Sequence, residues 1–287
     1  MAGTLKSDSP LNKDAICSAI DELGRPLLEE VDVLQTVDST NSFLLSHSIN
    51  EGLARICVSE EQSAGRGRRG NDWQSTPNQN ILFSLAWGFP NWPETITGLG
   101  LAVATVVAER LNADFFSDQN GKSNIGIKQE ETSVEIKWPN DLMVNGDKLG
   151  GILVDVAGES RGACNVVIGL GLNVNQADLS DNETAYRWQD LHSLGVTLDR
   201  NQFIGRLASD LIAMLRGFEK HGFAPLCSRW NQLSGYTGRD ITITGKSGQL
   251  QGLMQGVDKS GALLLVDGDG EQHIIADSSV SVRLLEK

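Results

Sequence analysis

Cysteine is scarce and dispersed. Cys17, Cys57, Cys164 and Cys227 lie far apart with no C-x-x-C pair, so neither a disulfide framework nor a zinc knuckle is indicated. The four histidines are equally scattered, and no metal site is expected. No apolar run approaches the ~20 residues of a membrane span. The opening MAGTLKSDSPLNKD lacks the charged-then-apolar layout of a secretory signal, so a reducing, cytoplasmic setting is expected. Basic residues are outnumbered, 24 Lys and Arg against 37 Asp and Glu. The resulting net charge of −13 argues against a general binder of nucleic acid or membrane surfaces. Internal repeats and low-complexity tracts are missing too.

What is present is an ordinary globular composition, 40% hydrophobic and 21% charged. The 287 residues suffice for one large domain or a large and a small one. Residues 1–30 are polar, with an amphipathic piece around Ala15–Leu23 that reads as a lead-in helix. LQTVDSTN reads as a strand ending in Asp38-Ser39-Thr40, a helix N-cap signature. ARICVSEEQ (54–62) and NILFSLAWGF (80–89) are strand-like, and the apolar spacing of 97–112 predicts a buried helix. Residues 117–133 are turn-rich and predict an extended loop or exposed hairpin. VEIKWPNDLMVNGDKLGGILVDVAG predicts strand, loop, short strand, a tight turn at Asn145-Gly146 and a third strand; ACNVVIGLGLNVN predicts another. Residues 200–222 carry the clearest helical stripe, with Gly222 at its stop. From Tyr236 short strands alternate with GKSG, DKSG and DGDG turns, which predicts a small β-barrel. The expected class is α+β, with the strands of the main domain meeting mostly as hairpins.

The local exception on this acidic chain is GRGRRG (65–70), a letter-for-letter match to G-x-G-x-x-G. A dinucleotide fold needs a helix opening at those glycines and an acid ~20 residues on. Here NDWQSTPNQN follows instead, and then a strand. GESRG (158–162) fits the G-x-S-x-G elbow but sits between strands, where a hairpin turn is expected. GKS at 121–123 and 245–247 lacks the upstream glycine of a phosphate loop. GRGRRG does offer backbone N–H groups unobstructed by Cβ atoms, beside guanidiniums that pair phosphate or carboxylate oxygens. Such a loop can order over an anionic ligand; taken alone, it also reads as a solvated basic loop.

In KWPND (137–141) the bulk of Trp138 suits a core edge and Pro139 stops a strand. Asn140 and Asp141 are then expected in a turn, where Asp141 could simply accept backbone N–H groups. Lys148 heads the strand GGILV and can point into a site or into solvent. IGLGLNVN (168–175) puts two glycines and Asn173 at a strand end, consistent with close approach of a ligand.

The words DSTN (38–41), EEQSAGRGRRGNDW (60–73), KWPNDLMVNGDKLGGIL (137–153) and VVIGLGLNVN (166–175) come in this order before the terminal barrel. Together they resemble the biotin protein ligases, the biotin–[acetyl-CoA carboxylase] ligases, over about residues 31–287. The resemblance implies a lead-in helix over 1–30 and a class II synthetase-like biotinyl/lipoyl ligase domain over 31–235. That domain would be a mixed, mainly antiparallel sheet with helices, followed by an SH3-like barrel over 236–287. In this family biotin's carboxylate attacks the α-phosphate of ATP, with Mg2+, to give biotinoyl-5′-AMP and pyrophosphate. A lysine of a biotin carboxyl carrier protein domain then displaces AMP. Regulatory members add an N-terminal operator-binding domain. Thirty residues before the first strand are too few for one, so a monofunctional form is expected, with homodimerisation left open.

Residue roles follow from the resemblance. Ser39, Thr40 and Gln62 match positions that hydrogen-bond the ureido head of biotin, with Asn41 beside them, and Gly169 and Gly171 match the strand backbone next to that ring. Arg66, Gly67 and Arg68 match the loop that closes over the biotinyl and phosphate groups. Lys148 matches the lysine that reaches the biotin carboxylate and α-phosphate. Lys137 and Asp141 match positions near the reaction centre, Asp141 being the candidate to orient or help deprotonate the carrier lysine. Asn173 and Trp188 match positions that hold ATP, with Trp188 placed against adenine, and Arg283 one that approaches the nucleotide phosphates. The visible departure is 117–133, longer and more polar than such enzymes need. Two rivals share the fold: a lipoate or octanoate ligase, and a noncatalytic biotinoyl-AMP sensor. A third, nucleic-acid binding through GRGRRG, conflicts with the −13 charge and the lack of interleaved aromatics.

Overall fold

The computed structural model describes residues 9–90, 96–116, 132–158, 164–175, 187–246 and 248–285. Seven strands form the larger sheet: β1 (Leu28–Val37), β2 (Ala54–Gln62), β3 (Ile81–Phe89), β4 (Glu135–Lys137), β5 (Asp141–Val144), β6 (Asp147–Gly158) and β7 (Cys164–Leu172). Their order is β1-β2-β3-β7-β6-β5-β4, with β1 parallel to β2 and every other pairing antiparallel. The helices are α1 (Lys13–Ala19), α2 (Thr40–Leu45), α3 (Leu99–Leu111), α4 (Arg200–His221) and α5 (Cys227–Leu233). The mixed, mainly antiparallel sheet matches expectation.

Strand periodicity sends alternate side chains to opposite faces. On one face Phe83, Leu85 and Trp87 of β3 and Ile168, Leu170 and Leu172 of β7 are 0–3% exposed, in one core with α3 and α4. On the other face Ser84 pairs with Gly169, and Gly171 with Gly151. Small residues there leave a basin. Helix α2 covers only one end of it, where Leu44 packs with Cys57, Ala86 and Val167.

Element ends moved where local chemistry was subtle. Strand β1 begins at Leu28, earlier than LQTV, because LEEVDV already alternates around the buried Val31. Helix α1 starts after Asn12, whose Oδ1 accepts from the Ala15 N–H at 2.9 Å, and stops at Ala19; Leu23 is 78% exposed and lies outside its apolar stripe. Helix α5 was not anticipated, although its Trp230 is fully buried. Asn145 (φ 53) and Gly146 (φ 85) form the left-handed pair that a two-residue hairpin requires. The predicted loop over 117–133 and the GESRG turn fall largely outside the described residues, although β6 and β7 meet as expected with Gly158 opposite Cys164.

The smaller sheet, β8 (Asp240–Gly245), β9 (Gly248–Val257), β10 (Leu263–Val266), β11 (Gln272–Ile275) and β12 (Ser281–Leu284), is antiparallel in the order β11-β10-β9-β8-β12. This is the SH3-like unit. It is not a separate core: Ile241, Met254, Leu263 and Val282 join the core of the larger sheet. Trp138, 3% exposed, bridges the seam by donating from Nε1 to the Gly261 carbonyl at 3.1 Å. No helix among the described residues is long and apolar enough to cross a membrane.

Candidate active site

A cavity of about 450 Å³ opens where the basin, the 63–73 loop and the smaller sheet meet. Its floor is polar but uncharged. Ser39 caps α2, and the next two residues, Thr40 and Asn41, are 4% and 3% exposed. Thr40 donates from both N and Oγ1 to Gln62 Oε1, at 2.8 and 3.0 Å. The Ser84 hydroxyl lies 2.7 Å from Thr40 Oγ1 and 2.6 Å from Asn41 Oδ1. Two glycines make this packing feasible. A Cβ on Gly169 would sit 2.4 Å from Asn41 Oδ1, and one on Gly171 would sit 2.3 Å from the Trp73 ring. Buried hydroxyls and amides that hold one another in place suit a neutral ring able to give and accept hydrogen bonds.

The arginine loop folds back on itself over this floor. The Trp73 N–H donates to the Gly65 carbonyl at 2.9 Å and the Gly67 N–H to the Asn71 carbonyl at 2.7 Å. Arg69 (φ 62) and Gly70 (φ 75) reverse the chain in a three-residue 3-10 turn. No helix opens there, which removes the dinucleotide reading on structural grounds. Arg68 donates from Nη1 to Asn140 Oδ1 at 2.9 Å and from Nη2 to the Ser278 carbonyl, in the turn between β11 and β12. Asn140 is held in turn by its Nδ2 donating to the Ile152 carbonyl at 2.8 Å. Burial, then the neighbouring Arg69, lowers the Arg68 guanidinium from its ordinary value; it stays a cation. Arg66 Nη2 lies 3.1 Å from Asp155 Oδ2.

A second cationic group comes from the strands. Lys148 Nζ is 2.7 Å from Asp141 Oδ1 and sits 5.6 and 5.8 Å from the ring centroids of Trp73 and Trp188. The two indoles meet edge to face at 5.8 Å. Trp188 is brought there because its segment pairs with the start of β6: the Lys148 N–H donates to the Arg187 carbonyl and the Gln189 N–H to the Lys148 carbonyl. Lys137, 4% exposed, also lines the cavity, with Nζ 5.8 Å from the Tyr236 ring centroid.

One expectation needs correction, and two expected residues sit away from the cavity lining. Asp141 opens β5 instead of lying in the turn, and it faces Lys148 instead of backbone N–H groups. Asn173 does not line the cavity: it is fully buried and donates from Nδ2 to the Gln189 carbonyl at 3.2 Å, so it supports the Trp188 segment from behind. Arg283 is exposed on β12, while its neighbours Ser281 and Val282 line the cavity. Four residues were missed: Trp73, Ser84, Asn140 and Asp155. Trp73 stood inside a quoted motif, and Ser84 shares the face of Gly169 by strand parity. Outside the cavity, Asp267, Glu271 and His273 bring ligand-type atoms within 4.8 Å of one another. Asp267 there is occupied by turn N–H groups and His273.

Residues 33–173 match the model of the biotin/lipoate A/B protein ligase family, and residues 236–283 match the biotin protein ligase C-terminal domain. The bifunctional ligase/repressor BirA of Escherichia coli is 35% identical over 257 residues, 90% of this chain and 75% of that protein. The biotin–[acetyl-CoA-carboxylase] ligase of Mycobacterium tuberculosis is 30% identical over 270 residues, 88% of this chain and 90% of that protein. Among solved structures, a biotin protein ligase from Aquifex aeolicus in complex with biotin and ATP shares the fold. Its TM-score is 0.72 at 23% identity, covering 90% of this chain and 100% of that one. With both sheets matched in order and relatives similar over most of their own length, the chain belongs to the biotin protein ligase family.

Proposed function

We propose that the protein condenses biotin with ATP to biotinoyl-5′-AMP and transfers the biotinoyl group to a lysine of a biotin carboxyl carrier domain. The observation that carries this reading is one cavity with two chemistries. A neutral polar floor at Thr40, Asn41 and Gln62 faces a cationic wall that includes Arg66, Arg68 and Lys148. Biotin has the same polarity, a ureido ring at one end and a carboxylate at the other. Bringing that carboxylate to a polyphosphate requires positive charge at the meeting point, since phosphoryl transfer is governed by positioning and charge stabilisation. Lys148 exchanges Asp141 for the α-phosphate oxygens, and this frees the Asp141 carboxylate to orient the incoming amine and accept its proton. Trp188 supplies a flat face for adenine beside that lysine. Magnesium enters with ATP as part of the substrate.

A lipoate or octanoate ligase would ask the same floor to bury an apolar ring or chain, leaving Thr40, Asn41 and Gln62 without ligand partners. Sites built for hydrogen bonding reject such ligands strongly. The cations of that wall likewise favour catalysis over mere sensing. Purified protein incubated with [γ-32P]ATP, magnesium, biotin and an apo carrier domain is expected to release 32P-labelled pyrophosphate and to biotinylate the carrier, which a streptavidin blot detects. Release with lipoate or octanoate but not with biotin would overturn the assignment.

A further inference from the structure

The cavity floor and the arginine loop are joined by a residue that does not line the cavity. Asp155 lies on β6 opposite Val167, on the basin face. Its Oδ2 accepts from Asn41 Nδ2 at 3.0 Å and also lies 3.1 Å from Arg66 Nη2. We propose that Asp155 is a positioning residue: it anchors Arg66 over the biotin pocket and fixes which way the polar floor donates and accepts. The inference rests on the biotin reading of the cavity.

The second part follows from proton counting. An ionised carboxylate only accepts, so the Asn41 NH2 must face Asp155 and its Oδ1 must face Ser84. An amide oxygen cannot donate, so the single Ser84 proton goes to Asn41 Oδ1 across 2.6 Å. The Thr40 hydroxyl, 2.7 Å from Ser84, must then use its own proton toward Ser84 or Gln62. One anion therefore sets the Asn41 amide and the Ser84 hydroxyl, and leaves Thr40 as the donor of the next link toward Ser84 or Gln62. The chain also closes a ring, because Gln62 and Arg66 are four residues apart on the stem of the same loop. Arg66 is a long side chain, 44% exposed, and without a fixed acceptor it would sample many rotamers. Ion pairs this exposed add little to stability, so the contribution of Asp155 is orientation and should show in ligand kinetics.

The test uses the full chain with biotin and MgATP. Asp155→Ala is expected to raise the biotin KM about tenfold and speed escape of preformed biotinoyl-AMP about tenfold, with kcat and thermal midpoint nearly unchanged. Asp155→Asn keeps an acceptor and should recover most of the KM but not the escape rate. Arg66→Ala combined with Asp155→Ala should lose intermediate no faster than Arg66→Ala alone. Parental KM and escape in Asp155→Ala, or additive losses in the double variant, would overturn the proposal, as would a fall in thermal midpoint alone. If Asp155→Ala does not fold, Asp155→Asn decides: faster escape supports the role and unchanged escape overturns it. Failure of the biotin reading would appear earlier and separately, as no pyrophosphate release by the unaltered protein.

Discussion

The two faces of the seven-stranded sheet are built from the same strands under opposite rules. Toward α3 and α4, each inward position of β3 and β7 carries a large side chain, and residues such as Trp87 and Ile168 are almost wholly buried. Toward the cavity, the intervening positions include Ser84 of β3, Gly169 and Gly171 of β7 and Gly151 of β6, with Leu82 the larger side chain among them. Glycine in a strand costs about 0.5–1 kcal/mol in chain entropy and offers no side chain to pack. The packed face offsets that cost and holds the open face in register, so the site is made by omission on one side and filled volume on the other.

Substitutions on each face should therefore fail differently. Trp87→Ala, on the packed face, is expected to cost about 3–5 kcal/mol of stability by cavity formation. Urea unfolding should show it, while the biotin KM of the folded fraction stays close to the parent's. A changed KM with unchanged stability would break the contrast. Lys148→Ala, on the open side, should slow biotinoyl-AMP formation about 10²–10³-fold by removing a cation from the developing charge. Its thermal midpoint should stay within a few degrees, since the Lys148–Asp141 pair is partly exposed. Near-normal single-turnover formation would remove Lys148 from its assigned role.

Much of this contrast was legible in the sequence, and what was not has physical reasons. Strand parity in NILFSLAWGF and VVIGLGL already separates a large-residue face from a mostly small-residue one, and GRGRRG announces a basic loop on an acidic chain. Hydrogen-bond partners across the sheet were not legible. Asp155 meets Asn41 and Arg66 through separations of 114 and 89 residues, which no local pattern encodes. The directions of Asn173 and Arg283 were not legible for the related reason that motif position does not say which way a side chain turns. Asn173 points behind the Trp188 segment, and Arg283 stands on the face of β12 opposite Val282, which is buried.

The smallest expected effect concerns the one end of the open face that is closed. Cys57 lies on the basin side of β2, fully buried with Leu44 of α2, Ala86 and Val167. Burial, aided by nearby Asp32, pushes its thiol up to about 12. Only thiolate reacts with alkylating reagents, so at pH 8 both access and ionisation protect Cys57. Iodoacetamide labelling followed by peptide mass spectrometry should leave Cys57 unmodified in the folded protein and label it after denaturation, with no change in biotin binding. Rapid labelling in the native state would mean that α2 lifts from the sheet. Because α2 also carries Thr40 and Asn41, such motion would make the polar floor a moving part, and the division into a rigid packed face and a pre-set open face would no longer hold.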